Sequence, residues 1–183
     1  SEARFFGGAL FICVAITCVY LVFADVLPIG DATVHGLFQA VSITTTTGFA
    51  TQDFSLWPGF LPMMLLMFSF MGGCVGSTGG GIKAMRLMLI YKQGIREMSR
   101  LLHPAAEIPV RLGTRGVPPR VVEAVWGFFS TYVVVFGVLM AVLMFFGLDQ
   151  VTAFSAIAAT LNNLGPGLGD VAQNYAGIGD LSK

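Results

Sequence analysis

A short polar stretch, Ile43-Thr44-Thr45-Thr46-Thr47-Gly48-Phe49-Ala50, lies inside apolar sequence and returns 117 residues later as Leu161-Asn162-Asn163-Leu164-Gly165-Pro166-Gly167, with Gly48 falling on Gly165. Each stretch follows a short apolar helical segment, which in turn follows a long apolar one. Peptide groups left unpaired in hydrocarbon cost several kcal/mol each, so irregular backbone at membrane depth is tolerated only where protein buries it or a water-filled path meets it. A repeated unit of span, half-length helix and glycine turn is the sequence form of a pore loop. It points to part of an ion-conducting membrane protein.

Composition agrees with a bilayer as solvent. Of the 183 residues 55% are hydrophobic and 11% charged, with a mean hydropathy of +0.79, whereas an ordinary soluble domain is about 25% charged. The net charge of zero hides a sorting of charges along the chain. Eight of the ten Lys and Arg lie from Lys83 to Arg120, against Glu97 and Glu107 alone, a local net charge of +6. Asp25, Asp31, Asp53, Asp149, Asp170 and Asp180 lie outside that stretch. The positive-inside rule therefore puts Lys83–Arg120 in the cytoplasm and the acidic turns on the opposite side, and Arg4 before the first span agrees. Ser1-Glu2-Ala3-Arg4 has no initiator Met and no signal-peptide n-region, and the first apolar stretch is too long for a signal h-region.

Three full spans are expected, at about Phe5–Leu27, Leu56–Val75 and Val121–Phe146, each with the ~20 apolar residues that a ~30 Å hydrocarbon core requires. Between the first two, Ala32–Ile43 predicts a helix of about a dozen residues, reaching only halfway across at 1.5 Å per residue. It must enter and return on one side. Pro28 and Gly30 mark the turn into it, and Asp31 is placed to cap its start. The architecture recurs after the third span, with Asp149 at the outer end and Val151–Leu161 as the descending helix. The expected organisation is a first repeat over residues 1–82, a basic connector over 83–120 and a second repeat over 121–183. The second repeat stops at Asp180-Leu181-Ser182-Lys183, where a closing span would begin, so a longer polypeptide is expected.

A loop that selects cations presents backbone carbonyls that replace the water shed by the ion. Its narrowest point needs unusual backbone angles, which glycine supplies without a Cβ penalty. Gly48 and Gly165 fit that role, with Thr46, Thr47, Asn163 and Leu164 contributing carbonyls for a potassium ion and Phe49 and Pro166 wedging the strands from behind. Descending helices would also aim partial negative charge at the membrane centre. A second feature is the run Gly72-Gly73-Cys74-Val75-Gly76-Ser77-Thr78-Gly79-Gly80-Gly81-Ile82-Lys83. It is not a phosphate-binding P-loop, which needs Lys directly after the second glycine and then Ser or Thr; Gly81 is followed by Ile82, Lys83 and Ala84, so no bound nucleotide is expected. The run predicts a break that unwinds the second span, with helix resuming near Ile82. Lys83 admits two positions, snorkelling at the inner interface or standing at depth for a functional reason. Cys13, Cys18 and Cys74 fit small apolar fillers rather than a disulfide or metal framework. No His/Asp/Ser constellation, carboxylate pair or metal-ligand spacing supports catalysis, and His35 and His103 have no partner visible in the sequence.

The segments Thr44–Phe49, Gly72–Lys83 and Asn162–Leu168, in that order, resemble the potassium-uptake superfamily that includes bacterial Trk and Ktr, fungal Trk and plant HKT transporters, most closely the TrkH membrane subunits. The resemblance covers essentially the whole chain. It implies an all-α membrane protein of the bacterial inner membrane, built from four span–pore helix–hairpin–span units, of which this chain holds the third and most of the fourth. It implies that Gly76, Ser77, Thr78, Gly79, Gly80 and Gly81 form an intramembrane gate loop beneath the filter, and that the protein is a homodimer. It also adds a cytosolic nucleotide-binding regulatory subunit of the TrkA type as a partner for the basic connector; attraction to anionic membrane lipid explains the same charges. No nucleic-acid partner is expected. Two other readings remain: a proton- or sodium-coupled symporter, whose signature would be a carboxylate at the midplane (Asp25 is the nearest), and a non-conducting accessory subunit.

Overall fold

A computed structural model describes residues 2–103, 109–112 and 115–172. Glu107 and the expected stop of the second repeat at Asp180–Lys183 lie outside the described residues. Among those described, the helices are α1 (Glu2–Phe23), α2 (Ile29–Thr44), α3 (Leu61–Ser69), α4 (Ala84–Leu102), α5 (Pro119–Phe145) and α6 (Gln150–Leu161). The strands β1 (Arg111–Leu112) and β2 (Arg115–Gly116) pair antiparallel within the connector. By length and composition α1 and α5 can each cross a membrane.

Four of these helices end in one way. Behind α2, Thr46 N–H bonds Ile43 O at 3.1 Å and Thr47 N–H bonds Ser42 O at 2.8 Å; behind α6, Asn163 N–H bonds Thr160 O at 3.1 Å and Leu164 N–H bonds Ala159 O at 2.8 Å. These are Schellman closures, in which a left-handed residue lets the chain satisfy the last carbonyls of the helix. Asp25 (φ 54°) and Gly147 (φ 95°) close α1 and α5 with the same bond pattern. The first span thus stops at Phe23, short of the expected Leu27.

Two other expectations need correction. The second span is not a continuous helix from Leu56 to Val75: Pro58 and Gly59 precede it, Gly59 takes φ +69°, and α3 runs for only nine residues. That is about 14 Å of rise, half a bilayer. Asp31 does not cap α2 either. The cap position is Pro28, extended at ψ 153°, with no side-chain bond, and Asp31 lies inside the first turn. There it still faces the positive end of the helix dipole. Asp149 does cap α6, its Oδ2 accepting from Val151 N at 3.0 Å and Thr152 N at 3.2 Å.

The main core joins α1, α2, α3 and α6 through Cys13, Leu21, Ala40, Ile43, Leu65 and Ala158. Small residues bring the helices close. Ala32, Gly36 and Ala40 recur every fourth residue along α2, and a Cβ on Gly36 would stand 3.1 Å from Cys18 Sγ and 3.3 Å from Leu21 Cδ1. Such stripes allow backbones to approach where solvent gives no hydrophobic drive. A second, smaller core of Leu89, Val110, Val122 and Val125 holds the connector against α4 and α5. Lys92 Nζ donates to Arg111 O at 2.6 Å, and Arg86 lies 4.1 Å from the Phe128 ring centroid, a cation–π contact.

Candidate functional site: two matched turns above a glycine loop

The two polar turns share a backbone. Thr46 (φ 55°) matches Asn163 (φ 52°), and Gly48 (φ 81°) matches Gly165 (φ 99°), each pair 117 residues apart. The residues before them, Thr45 and Asn162, match as well, at φ −86°, ψ 0° and φ −86°, ψ −3°. Asparagine tolerates the left-handed region through local hydrogen bonding, whereas a β-branched threonine does so rarely. The first turn therefore holds strain at Thr46 that the second avoids.

The turns touch each other. A Cβ on Gly48 would collide with the carbonyl oxygen of Leu164 and lie 3.2 Å from its carbonyl carbon and 3.5 Å from Pro166 Cδ. Gly165, by contrast, has open space at that point. Thr46 and Leu164 are buried, while Phe49 is 72% exposed and so does not wedge its strand from behind within this chain. Gly48, Phe49 and Pro166 instead line a cleft with Ala50, Thr51 and Gln52.

The strand that rises after Gly48 is held by α2. Ser42 Oγ donates to Phe49 O at 2.6 Å, the buried Gln39 donates to Gln52 O at 3.0 Å and accepts from Thr51 N at 3.3 Å, and His35 Nδ1 lies 3.0 Å from Thr51 Oγ1. His35, Gln39 and Ser42 are spaced by four and three, one face of a helix. In the sequence only His35 stands out, without a visible partner, although polar residues at that spacing within an apolar helix are a usable signal. The second turn is held by different side chains: Ser155 Oγ stands 2.9 Å from both Leu168 O and Leu168 N, and Asp170 N donates to Thr152 Oγ1 at 3.4 Å.

Against the turns runs the glycine segment, irregular from Phe70 to Lys83, with helix resuming at Ala84 rather than near Ile82. Gly72 (φ 62°) starts it and Gly81 (φ 76°) returns it. Its two ends are stitched by Ile82 N–H to Phe70 O at 2.9 Å and Ala84 N–H to Gly73 O at 2.9 Å. Gly79 and Gly80 meet both turns. Gly80 N–H donates to Thr46 Oγ1 at 3.1 Å, a Cβ on Gly80 would collide with Asn162 O, and a Cβ on Gly79 would lie 2.9 Å from Thr46 Oγ1. The tip, Val75 to Thr78, is exposed. Lys83 does not extend away from the loop. Its ammonium folds back to donate to Ser77 O at 2.9 Å, Ser77 Oγ at 3.1 Å and Gly79 O.

Beside the Lys83 ammonium, the backbone adds partial negative charge to this region. The C-terminal ends of α2 and α6 converge on Gly80, each carrying about half a negative charge. At the far end of α6, Asp149 accepts from Thr152 and Val151, and those bonds hold its carboxyl below the ordinary 3.8. Among the described residues no cluster of three or more His, Cys, Asp or Glu could hold a metal ion.

Comparison with known proteins gives consistent matches. The family described as TrkH, cation transport protein, matches residues 9–183. A Trk system potassium uptake protein TrkH from Vibrio parahaemolyticus is 55% identical over 153 residues, covering 84% of this chain and 32% of that protein. The protein of the same name from Escherichia coli K12 is 48% identical over 183 residues, covering 100% of this chain and 38% of that one. The crystal structure of the potassium transporter TrkH from Vibrio parahaemolyticus superposes with a TM-score of 0.87 at 49% identity, over 94% of this chain and 37% of that one. The chain thus spans about a third of the length of these relatives.

Proposed function

This chain belongs to the TrkH family of cation transport proteins, and we propose that it supplies two of the four strands of a potassium filter together with the loop that gates it. The relatives are named as potassium uptake proteins, and potassium is accordingly the ion assigned here. The observation that carries the reading is the matched backbone of the turns at 46/163 and 48/165, kept while the side chains change from threonine to asparagine and leucine. A site that conserves main-chain shape across unlike side chains works through its carbonyls, and carbonyl rings are how cations are stripped of water and selected. Helix C-termini at the same place favour a cation there.

The pore is closed, in this proposal, by the Gly76–Gly81 segment, whose return strand meets both turns at Gly80. Lys83 then acts inside the gate, tying the tip of the loop to its base. In the complete protein the basic connector faces the cytoplasm of a bacterial inner-membrane, multi-pass protein, docks a TrkA-type nucleotide-binding subunit, and sits in a homodimer with one pore per protomer. The direct test is potassium flux by the complete protein in liposomes, with and without a proton gradient. Flux down the potassium gradient alone supports the channel-like reading; flux only with a proton or sodium gradient favours the symporter; none favours an accessory subunit.

A further inference from the structure

Asn162 occupies a place in the second turn that its counterpart does not. In the 117-residue register it matches Thr45, whose hydroxyl bonds locally, to Val41 O at 2.7 Å and Thr47 Oγ1 at 2.8 Å. Asn162 instead reaches out of its own element twice. Its Oδ1 accepts from Tyr132 OH of α5 at 2.8 Å, and its Nδ2 donates to Ser69 Oγ of α3 at 2.9 Å. Ser69 spends its own proton on Leu66 O at 2.6 Å, so it can only accept from Asn162. The donors and acceptors run in one direction, from Tyr132 through the amide to the end of α3. Both Asn162 and Ser69 are 0% exposed.

The position of this chain of bonds matters more than its length. Ser69 is the last residue of α3, directly before the glycine segment departs. Gly80, on its return, lies against the main-chain oxygen of Asn162. Gly81 closes the gap, since a Cβ there would stand 2.8 Å from Phe70 O and 3.1 Å from Ser69 O. One residue thus bonds the end of α3 with its side chain and packs its main-chain oxygen against the return of the loop. The side-chain bond ties the end of α3 to the end of α6, and the seat in which Gly80 and Gly81 lie is made of carbonyls from those same two ends, so losing the bond lets the ends part and loosens the loop.

We propose that Asn162 is a positioning residue for the gate, holding the glycine loop closed through Ser69, and that Tyr132 is its anchor on the third span. The inference rests on the gating assigned to the loop in the preceding subsection. It assigns the two turns different tasks. The first meets the loop directly, through Thr46 Oγ1 and the Thr45 carbonyl, whereas the second sets the seat of the loop by tying α6 to the end of α3.

The test uses the complete protein and four variants. Ser69→Ala and Tyr132→Phe each remove one partner of the amide without changing the filter, and Ser69→Thr restores the hydroxyl. In single-channel recording both truncations should raise the open probability, by about five- to tenfold on the ordinary worth of a buried hydrogen-bond partner, with the potassium-to-sodium permeability ratio unchanged. Ser69→Thr should return it to the parent value, and the double variant should fall short of the product of the two single effects, because both act through one amide. In detergent, amide hydrogen exchange at Gly80 and Ile82 should accelerate in the truncations, a readout that needs no conduction. Unchanged exchange in both truncations overturns the proposal, as does a shift in permeability ratio at unchanged open probability. A parent protein that carries no potassium, yet shows the expected exchange changes, defeats the pore reading and leaves the joint standing.

Discussion

Gly48 packs its α-carbon against the carbonyl oxygen of Leu164, so the only residue type that fits between the two turns is one without a Cβ. Its partner in the repeat, Gly165, shares the left-handed backbone but has open space where a side chain would go. Within this chain the two matched glycines therefore answer to different constraints, one steric and conformational, the other conformational alone.

Alanine separates these constraints. Gly165→Ala meets only the backbone penalty of a left-handed residue, about 1–2 kcal/mol. Gly48→Ala adds a clash with rigid main chain and should destabilise by clearly more, with the seam between the turns opened. Thermal unfolding of the two variants in detergent checks the order; equal losses would mean that the turns can part without cost.

Thr46 bonds the glycine loop from the first turn through its side chain. Thr46→Val keeps the shape and removes the acceptor for Gly80 N–H, leaving a part-buried donor unpaired at a cost of about 1–3 kcal/mol. Faster hydrogen exchange at Gly80 is the expected result, with Thr46→Ser close to the parent. Equal exchange in all three proteins would show that Gly80 finds its partner elsewhere.

Lys83 ties the loop to its own base through charged hydrogen bonds to Ser77 and Gly79. Charge-assisted bonds are roughly twice as strong as neutral ones. Lys83→Met should therefore loosen residues 76–79, seen as quicker exchange there and as a higher open probability in the complete protein. Lys83→Arg should retain part of the restraint. A methionine variant as protected as the parent would reduce Lys83 to a side chain that merely stays near the loop.

Asp149 makes the start of α6 sensitive to acid. Bonds from Thr152 and Val151 favour its ionised form and depress its titration in the folded state. The cap is then fully effective above the ordinary value of 3.8, and its contribution is lost as pH falls through the depressed folded value. Asp149→Asn caps comparably without titrating. Melting temperatures followed from pH 6 down to pH 3 should show a smaller acid loss for the asparagine variant; parallel curves would assign the loss to other groups.

The two matched turns were legible because their signal is local: a glycine at fixed spacing, preceded by a short apolar segment, needs no knowledge of tertiary contacts. The break at Gly72–Gly81 was legible for the same reason. The short α3 was readable only in part. Residues 56–75 are apolar enough for a span, and apolar content says nothing of how Pro58 and the left-handed Gly59 delay the helix start. Asp31 misled because capping depends on which residue is extended, and Pro28 takes that role three residues earlier. Contacts joining Asn162 to Tyr132 and Ser69 span 30 and 93 residues, beyond any periodicity in the chain. The spine of His35, Gln39 and Ser42 lay between these cases, since its spacing was visible but its object, the strand from Phe49 to Gln52, was not.

Selection by main-chain shape is best tested at the glycine that the two turns share. Gly48→Ser in the complete protein, reconstituted in liposomes, should lower the potassium-to-sodium permeability ratio, because the added side chain displaces the Leu164 carbonyl and distorts both strands at once. A ratio equal to that of the parent, in a variant that still folds and conducts, would contradict a filter built from these two turns.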